Sequence, residues 1–368
     1  MKTIVISAVN IRKGGTLTIL RQCLEYLSIL AQQGEYKIVA IVHKKELADY
    51  SNIEYIEMPN IIKGWSRRLW CEYVTMYKIS KKLQPIHLWL SLHDTTPRVI
   101  AERRAVYCQT SFPFLKQKIS DWKYDYKIGL FSLFTKYAYK INIKKNNYLI
   151  VQADWLRQGF SKMFKINPNK FIVAPPEKKA IDILLPDNCE KDNLYTFLYP
   201  ATADCHKNFE FLCEAAKILE EEIGSNCFRI ILTISGLENN YSKMIKKNYS
   251  NRETITFAGY LNKETLYEYY KKANCLVFPS RIETWGLPIT EFAVTQKPML
   301  LADLPYSHET SSGAKKVSFF NINNPIELKN KMKSLILGDL TFLKEIPKKN
   351  LNNPKAYTWK ELFDLINY

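Results

Sequence analysis

The amino-acid sequence predicts an α/β fold made of two Rossmann-like domains, each a doubly wound parallel sheet. Three observations predict it. The chain has 368 residues, which is too long for one ordinary hydrophobic core and favours two domains. Short apolar runs alternate with longer helical patterns, as in parallel sheets covered on both faces. A break at residues 173–193, with three prolines and mixed charge, interrupts this alternation and indicates an interdomain linker.

The first domain is predicted over residues 1–180. Its strands are assigned to apolar runs rich in β-branched and aromatic residues, and its helices to longer stretches with helical spacing. The predicted strands are 2–8, 37–43, 86–92, 105–109 and 148–152, with helices near 16–32 and 155–164.

The second domain is predicted over residues 181–368, where the alternation starts afresh. The predicted strands are 194–199, 228–234, 254–258, 275–279, 298–302 and 317–322, with helices near 207–223, 263–273 and 288–295. The final stretch, 357–368, is predicted as a short amphipathic helix and is a candidate to return to the N-terminal domain.

The net charge of +17 is confined to one half of the chain. Residues 1–180 hold 30 Lys and Arg against 13 Asp and Glu, whereas residues 181–368 hold 23 of each. Compositional drift toward lysine would affect both halves alike. The asymmetry therefore favours an anionic partner for the first half: nucleic acid, a membrane surface or substrate phosphates.

Two segments of the first half, 61–83 and 112–146, interleave aromatic residues with Lys and Arg. This composition is typical of helices that lie on an anionic membrane surface. An ordinary helix with snorkelling lysines explains one such segment equally well, but two of them favour peripheral membrane contact. Nucleic-acid binding lacks an RNP, helix-turn-helix or zinc-finger pattern, so no nucleic acid is expected. No run approaches the roughly 20 apolar residues of a membrane span.

Several classes of enzyme lack their motifs in this sequence. It contains no GxGxxG, GxxxxGK[ST], HExxH, GxSxG or Asp-x-Asp. Dinucleotide dehydrogenases, P-loop enzymes, zinc and serine hydrolases and metal-dependent transferases of the Asp-x-Asp kind are therefore disfavoured. The eight cysteines are scattered without a CxxC pair, which predicts reduced, buried cysteines of a cytosolic protein.

The remaining candidates are residues that follow predicted strands. Glycines there let backbone approach a ligand, and a lysine at a helix start can hold a diphosphate together with helix N–H groups. A tight turn capped by Thr16 explains the first two glycines equally well. Because the carboxyl ends of parallel strands meet at one edge, the candidates of the second domain are expected to gather around one ligand. They are Gly14, Gly15, Lys207, Gly259, Tyr260, Arg281, Glu283, Gly286, Leu287 and Glu291.

Glu283 and Glu291 enclose a Gly-Leu-Pro turn, and their spacing resembles the E-x7-E motif of family 4 retaining glycosyltransferases. Gly14 with Gly15, Lys207 with Asn208, and Gly259 stand in the order that this family shows. Within the family, the chain is most similar to enzymes that build bacterial O-antigen and other surface polysaccharides.

This resemblance implies a GT-B fold, a nucleotide-sugar donor bound in the interdomain cleft, and neither a metal nor a cofactor. It implies that Lys207 holds the donor diphosphate, Glu291 binds ribose hydroxyls and Glu283 meets the donor sugar, assisted by backbone at Gly286 and Leu287. The implied acceptor is a polyprenyl-diphosphate-linked oligosaccharide. The enzyme is accordingly expected in the bacterial cytoplasm, peripheral on the inner face of the cytoplasmic membrane.

The sequence departs from the family at two positions. Thr202 stands where the family often has an arginine, and Arg281 or Arg12 is a candidate to replace it. Gln109 stands where many members have a cleft histidine and is the expected sugar contact, with the pair His93-Asp94 as another strand-end candidate. These departures leave open two alternatives, a sugar-nucleotide epimerase and a non-catalytic glycan-binding relative.

Overall fold

The computed structural model describes residues 1–61, 64–177 and 194–367. Within it the chain forms two compact units. The first unit comprises Met1–Pro113, Phe134–Glu177 and Leu351–Tyr368, and the second comprises Phe114–Leu133 and Lys178–Asn350. The predicted boundary at residue 180 and most of the predicted linker lie outside the described residues.

The first unit contains a parallel sheet of seven strands in the order β3-β2-β1-β4-β5-β6-β7. The register pairs Ile4 with Ile38 on one side of β1 and with Leu88 on the other. The strands are β1 Lys2–Ala8, β2 Tyr36–Val42, β3 Ile53–Glu57, β4 Leu88–Ser91, β5 Arg103–Cys108, β6 Tyr148–Val151 and β7 Phe171–Val173.

Helices of the first unit cover both faces of this sheet. Ile4 of β1 belongs to the cluster that contains Leu24, whereas the adjacent Val5 belongs to the cluster that contains Met76. Alternate residues of one strand thus bury themselves against helices on opposite faces. The helices of the first half of the chain are α1 Gly14–Gln32, α2 Trp65–Trp70, α3 Met76–Lys82, α4 Ile119–Tyr124, α5 Tyr126–Lys140 and α6 Asp154–Phe164. Of these, α4 and the start of α5 belong to the second unit.

The second unit contains a parallel sheet of six strands in the order β10-β9-β8-β11-β12-β13. The strands are β8 Tyr195–Tyr199, β9 Phe228–Leu232, β10 Ile255–Phe257, β11 Cys275–Phe278, β12 Met299–Ala302 and β13 Val317–Phe320. The helices are α7 Phe209–Ile223, α8 Asn240–Tyr249, α9 Lys263–Lys272, α10 Leu287–Ala293, α11 Pro305–Thr310 and α12 Pro325–Ile336.

The two units differ from a simple division of the chain in two segments. The last helix, α13 (Trp359–Asn367), belongs to the first unit, where Trp359, Phe363 and Ile366 complete the cluster around α1. Burial of this apolar face explains why the segment returns there. Phe114–Leu133 is grouped with the second unit although the sequence places it in the first. None of the described helices is long and apolar enough to cross a membrane.

Candidate active site

Lys207 and Glu283, which the sequence assigns to one site, form an ion pair in the second unit. Lys207 Nζ donates to Glu283 Oε1 at 2.6 Å. Only 14% and 13% of the two side chains is exposed. Lys207 follows β8 and Glu283 follows β11, and these strands are neighbours in the sheet. The loops after two adjacent parallel strands therefore bring a cation and an acid together.

The backbone of Lys207 is fixed by the strand that precedes it. The hydroxyl of Tyr199, the last residue of β8, donates to the Lys207 carbonyl at 2.6 Å. Lys207 ends a single 3-10 turn, and the next residue, Asn208, has a left-handed φ of +62°. Helix α7 begins only at Phe209, so the predicted helix start at residue 207 is wrong by two residues. Lys207 lies in the loop that precedes the helix.

The loop that carries Glu283 is anchored at the two positions 280 and 281 that precede this residue. The backbone N–H of Arg281 donates to the carbonyl of His206 at 2.8 Å, which joins this loop to the Lys207 loop. The buried hydroxyl of Tyr306 donates to the Ser280 carbonyl at 2.7 Å. These contacts hold Glu283 opposite Lys207.

Gly286 links the Glu283 loop to α10. Its φ of +88° is left-handed, and a Cβ there would lie 3.3 Å from Ile289 Cδ1, so glycine is required by conformation and by space. Leu287 opens the helix and is partly exposed, and Pro288 occupies the first turn, where no N–H is missed. The Gly-Leu-Pro sequence thus ends the loop and starts the helix.

Glu291, the second acid of the motif, lies on α10 and is half-buried. It accepts a hydrogen bond of 3.0 Å from the hydroxyl of Tyr270, a residue with no exposed surface. Burial raises the pKa of Glu291, opposed by the Tyr270 bond and by the charge of Lys263. The carboxylate of Glu291 therefore accepts one hydrogen bond within the protein, from Tyr270, and can accept further hydrogen bonds from a ligand.

Gly259 and Tyr260 follow β10. Gly259 has a left-handed φ of +75°, and its N–H donates to the Ile234 carbonyl at 3.2 Å. The side chain of Tyr260 is 89% exposed. The turn places the exposed ring of Tyr260 just beyond the carboxyl end of β10.

Arg281, a predicted donor contact, forms a buried ion pair in the second unit. Its Nη2 donates to Asp121 Oδ1 at 2.5 Å and to the Cys205 carbonyl at 3.3 Å, and both charged side chains are almost fully buried. Its Nη1 reaches the Lys116 carbonyl at 3.4 Å. The charge of Arg281 is thus engaged by a carboxylate that sequence reasoning missed, and no short-range pattern marks a pair 160 positions apart. Arg12, the other candidate, is exposed in the first unit.

The predicted glycines Gly14 and Gly15 open α1 in the first unit. Gly14 has a φ of +69°, and a Cβ at either glycine would meet nothing within 4 Å, so their backbone is open. Thr16 Oγ1 donates to the Lys13 carbonyl at 3.1 Å. The alternative in which Thr16 caps the helix is therefore wrong, because the helix begins two residues before it.

Gln109 follows β5 in the first unit and is buried. Its Nε2 donates to the Leu92 carbonyl at 2.6 Å, and its backbone N–H donates to Asp94 Oδ1 at 2.5 Å. Burial raises the pKa of Asp94 to about 6, and the bond from Gln109 opposes the shift. Burial lowers the pKa of the neighbouring His93 to about 4. The two strand-end candidates, Gln109 and His93-Asp94, are thus brought together.

A polar cluster beside them was missed by sequence reasoning. Arg68 Nε donates to Glu72 Oε1 at 3.0 Å, and Glu72 is almost fully buried. With its side-chain oxygen turned toward Arg68, Asn10 accepts from Arg68 Nη2 at 3.0 Å. These groups lie near His93 in the first unit. The only available signal was the i,i+4 spacing of Arg68 and Glu72.

Fold and site together define a class of protein. Two α/β units with parallel sheets of seven and six strands constitute the GT-B fold of glycosyltransferases. Residues 181–352, which carry Lys207, Glu283 and Glu291, match the family model described as Glycosyl transferases group 1. Fold and match together support a glycosyltransferase of the GT-B fold, with similarity to the group 1 enzymes over residues 181–352.

Three known proteins resemble this chain in sequence or in structure. The chain is 21% identical over 285 residues to the O-antigen chain mannosyltransferase RfbU of Salmonella typhimurium strain LT2, covering 73% of this chain and 74% of that protein. A glycosyltransferase from Rickettsia africae ESF-5 superposes with a TM-score of 0.64 and 17% identity, over 92% of this chain and 89% of the other. HepE of Anabaena, solved with UDP-glucose, gives a TM-score of 0.59 and 12% identity, over 93% and 92%.

Proposed function

We propose that the protein is a family 4 retaining hexosyltransferase, independent of metal, that acts in bacterial surface polysaccharide synthesis. Its donor is a nucleotide sugar and its acceptor is a polyprenyl-diphosphate-linked oligosaccharide. The observation that carries the proposal is the pairing of Lys207 with Glu283 at adjacent strand ends, directly before the helix that holds Glu291. A glycan-binding relative without activity would have no need of this arrangement.

The leaving group of the proposed reaction is a nucleoside diphosphate, so the site has to stabilise negative charge that develops on phosphate oxygens. Lys207 supplies a cation for that charge, Glu283 orients the donor sugar through its hydroxyls, and Glu291 accepts hydrogen bonds from the ribose. The acceptor hydroxyl forms a bond to C1 of the sugar while the bond from C1 to the diphosphate oxygen breaks. The acceptor proton passes to that departing oxygen, on the same face of the sugar, and the configuration is retained.

The likeness to RfbU, whose name describes an O-antigen chain mannosyltransferase, supports a surface-polysaccharide acceptor. The likeness of the fold to HepE, solved with UDP-glucose, supports a nucleotide-sugar donor.

The exposed surface of α4 and α5 supports a peripheral location at the cytoplasmic face of the membrane. Large apolar side chains project into solvent at helical spacing along α5, whereas its buried side holds Ser132, Thr135 and Tyr139. This helix thus has the reverse of the usual amphipathic arrangement. An apolar stripe flanked by lysines suits an anionic bilayer. The stripe consists of Tyr126, Leu130, Leu133, Phe134, Tyr137 and Ile141, with Lys127, Lys136 and Lys140 beside it.

Transfer from UDP-, GDP- and dTDP-sugars to a lipid extract of a surface-polysaccharide-producing bacterium tests this function. We expect one donor to yield a lengthened lipid-linked glycan, detected by mass spectrometry, and an α-linkage wherever the donor sugar is α-linked. Nucleotide release that requires the acceptor separates a transferase from an epimerase. Purified protein that neither hydrolyses nor transfers from any of these donors would contradict the proposal.

A further inference from the structure

Lys118, a residue that neither the motif nor the family match singles out, reaches the Lys207 loop. Its Nζ donates to Asn208 Oδ1 at 3.2 Å. Asn208 follows Lys207 directly, has no exposed surface and donates from Nδ2 to the Pro279 carbonyl at 3.3 Å. The amide of Asn208 is thus held in place, and it positions the ammonium of Lys118 beside the residue assigned to the donor diphosphate.

The main chain of Lys118 is fixed by the buried pair of Asp121 and Arg281. The N–H of Lys118 donates to Asp121 Oδ2 at 2.8 Å, while Asp121 Oδ1 accepts from Arg281 Nη2 at 2.5 Å. Arg281 stands two residues before Glu283 in the sequence. A single carboxylate therefore joins the segment that carries Lys118 to the loop that carries Glu283.

Three cationic side chains lie in this region, and they differ in whether a carboxylate pairs with them. Lys207 is neutralised by Glu283, and Arg281 by Asp121. Lys118 makes no ion pair with any carboxylate of the described residues, since its partner is a neutral amide oxygen. Its pKa is lowered by burial and by the charge of Arg281, and the charges of Glu210 and Asp121 oppose this shift. A half-buried ammonium without a close counter-charge is unfavourable until an anion binds.

We propose that Lys118 supplies a second cation to the diphosphate of the donor and of the nucleotide product. This inference rests on the proposed function and extends it to a residue outside the matched region. Thr202, at the position where the family often has an arginine, carries no charge and donates to Asp204 Oδ2 at 2.6 Å. A diphosphate facing Lys207 alone would meet a cation already paired with Glu283. Lys118, which is bonded to the adjacent Asn208, supplies the missing positive charge.

Calorimetric titration of UDP and GDP, with uridine and guanosine as probes that lack phosphate, tests the inference. Lys118→Met is expected to weaken binding of the preferred nucleoside diphosphate about tenfold or more, to leave nucleoside binding unchanged, and to reduce the salt dependence of the affinity. Lys118→Arg should retain most of the affinity. Lys116→Met is the matched control, because its side chain is exposed and only its carbonyl contacts Arg281.

The outcomes separate this inference from the proposed function. If Lys207→Met weakens diphosphate binding and Lys118→Met does not, Lys118 has no such role and the proposed function stands. Equal losses for the diphosphate and the nucleoside, or tighter binding in Lys118→Met, also overturn the inference. A wild-type protein that binds neither nucleoside diphosphate overturns both. An unchanged Tm in Lys118→Met shows that a loss of binding is not a loss of folding.

Discussion

The ammonium of Lys207 lies 2.6 Å from Oε1 of Glu283, so the two charged residues of the proposed donor site neutralise each other before any donor binds. A bound diphosphate must therefore share Lys207 with Glu283. The two substitutions should differ in consequence. Glu283→Gln frees the cation and should retain or tighten diphosphate binding while abolishing turnover. Lys207→Met should weaken diphosphate binding and turnover together.

Titration of nucleoside diphosphate and initial-rate measurements on the two variants check this contrast. Each substitution leaves a largely buried charge unpaired, and we expect a loss of about 1–3 kcal/mol in the free energy of unfolding. Glu283→Gln with wild-type turnover would contradict the role given to this carboxylate.

Gly286 offers a test of how strictly the loop must place Glu283. Gly286→Ala forces a side chain into a left-handed conformation, at a cost of about 1–2 kcal/mol, and its Cβ would lie 3.8 Å from Glu283 Cγ and 3.3 Å from Ile289 Cδ1. Gly224→Ala at the end of α7 is the matched control, with a similar φ of +83° and open space around the Cβ.

Both alanine variants should lose stability in thermal unfolding, because both force a Cβ into a positive φ. Gly224→Ala should lose at least as much as Gly286→Ala, since ψ is 174° at Gly224 and 61° at Gly286. Only Gly286→Ala should also lose kcat, by tenfold or more, since Ile289 Cδ1 must give way to the new methyl and the strained turn directly follows the Glu283 loop. Equal kcat in the two variants would show that the geometry of this turn does not control the reaction.

Parts of this site were predictable and parts were not, for physical reasons. Lys207, Glu283 and Glu291 could be found because strand, turn and helix signals lie within a few residues of each of them. The pair Asp121–Arg281 could not, because its partners are 160 positions apart and each resembles an ordinary surface charge in sequence. The contact of Lys118 with Asn208 could not be predicted either, because Lys118 is one of many lysines in a basic and aromatic segment.

The fold shows a similar division. The fully buried strands β8 and β11 were predicted because a parallel strand covered on both faces is a continuous apolar run. The strands β3 and β7 were missed. β3 lies at the edge of the sheet, where it is only half-buried and carries Glu54 and Glu57, and β7 has only three residues before the proline-rich break.

Glu291 predicts a dependence of stability on pH. Burial raises its pKa above the model-compound value of 4.5, so the folded state holds the proton to higher pH than the unfolded state does. This contribution to stability is fully present below about pH 4.5 and is lost as the pH rises through the raised pKa. Glu291→Gln removes the titration and keeps an acceptor for Tyr270.

We therefore expect Glu291→Gln to unfold at a higher temperature than the wild type near neutral pH, and at a similar temperature below pH 4.5. The same variant should bind the donor more weakly, since a neutral amide is a poorer acceptor for ribose hydroxyls than a carboxylate. Thermal unfolding from pH 4 to 8, with and without nucleoside diphosphate, measures both effects. A variant less stable than the wild type at neutral pH would contradict the account of Glu291.

The apolar stripe of α5 predicts a measurable affinity for anionic vesicles. Full burial of a leucine or phenylalanine side chain is worth about 1.5–3 kcal/mol, and each lysine near an anionic surface contributes about 1 kcal/mol. Leu130→Ser with Phe134→Ser should therefore weaken binding to phosphatidylglycerol vesicles by tenfold or more. Lys127→Gln, Lys136→Gln and Lys140→Gln together should weaken it strongly at low salt and little at high salt.

Leu237→Ser and Leu337→Ser are the matched controls in a vesicle-sedimentation assay, because both leucines are about 70% exposed but lie outside α4 and α5. They should bind vesicles as the wild type does.

The Leu130→Ser, Phe134→Ser variant should still transfer sugar to a soluble acceptor analogue. Its rate on the lipid-linked acceptor should fall, since only this substrate is presented at a bilayer. Wild-type vesicle binding by the Leu130→Ser, Phe134→Ser variant would exclude this face as the membrane contact, and the exposed apolar residues would then require a protein partner.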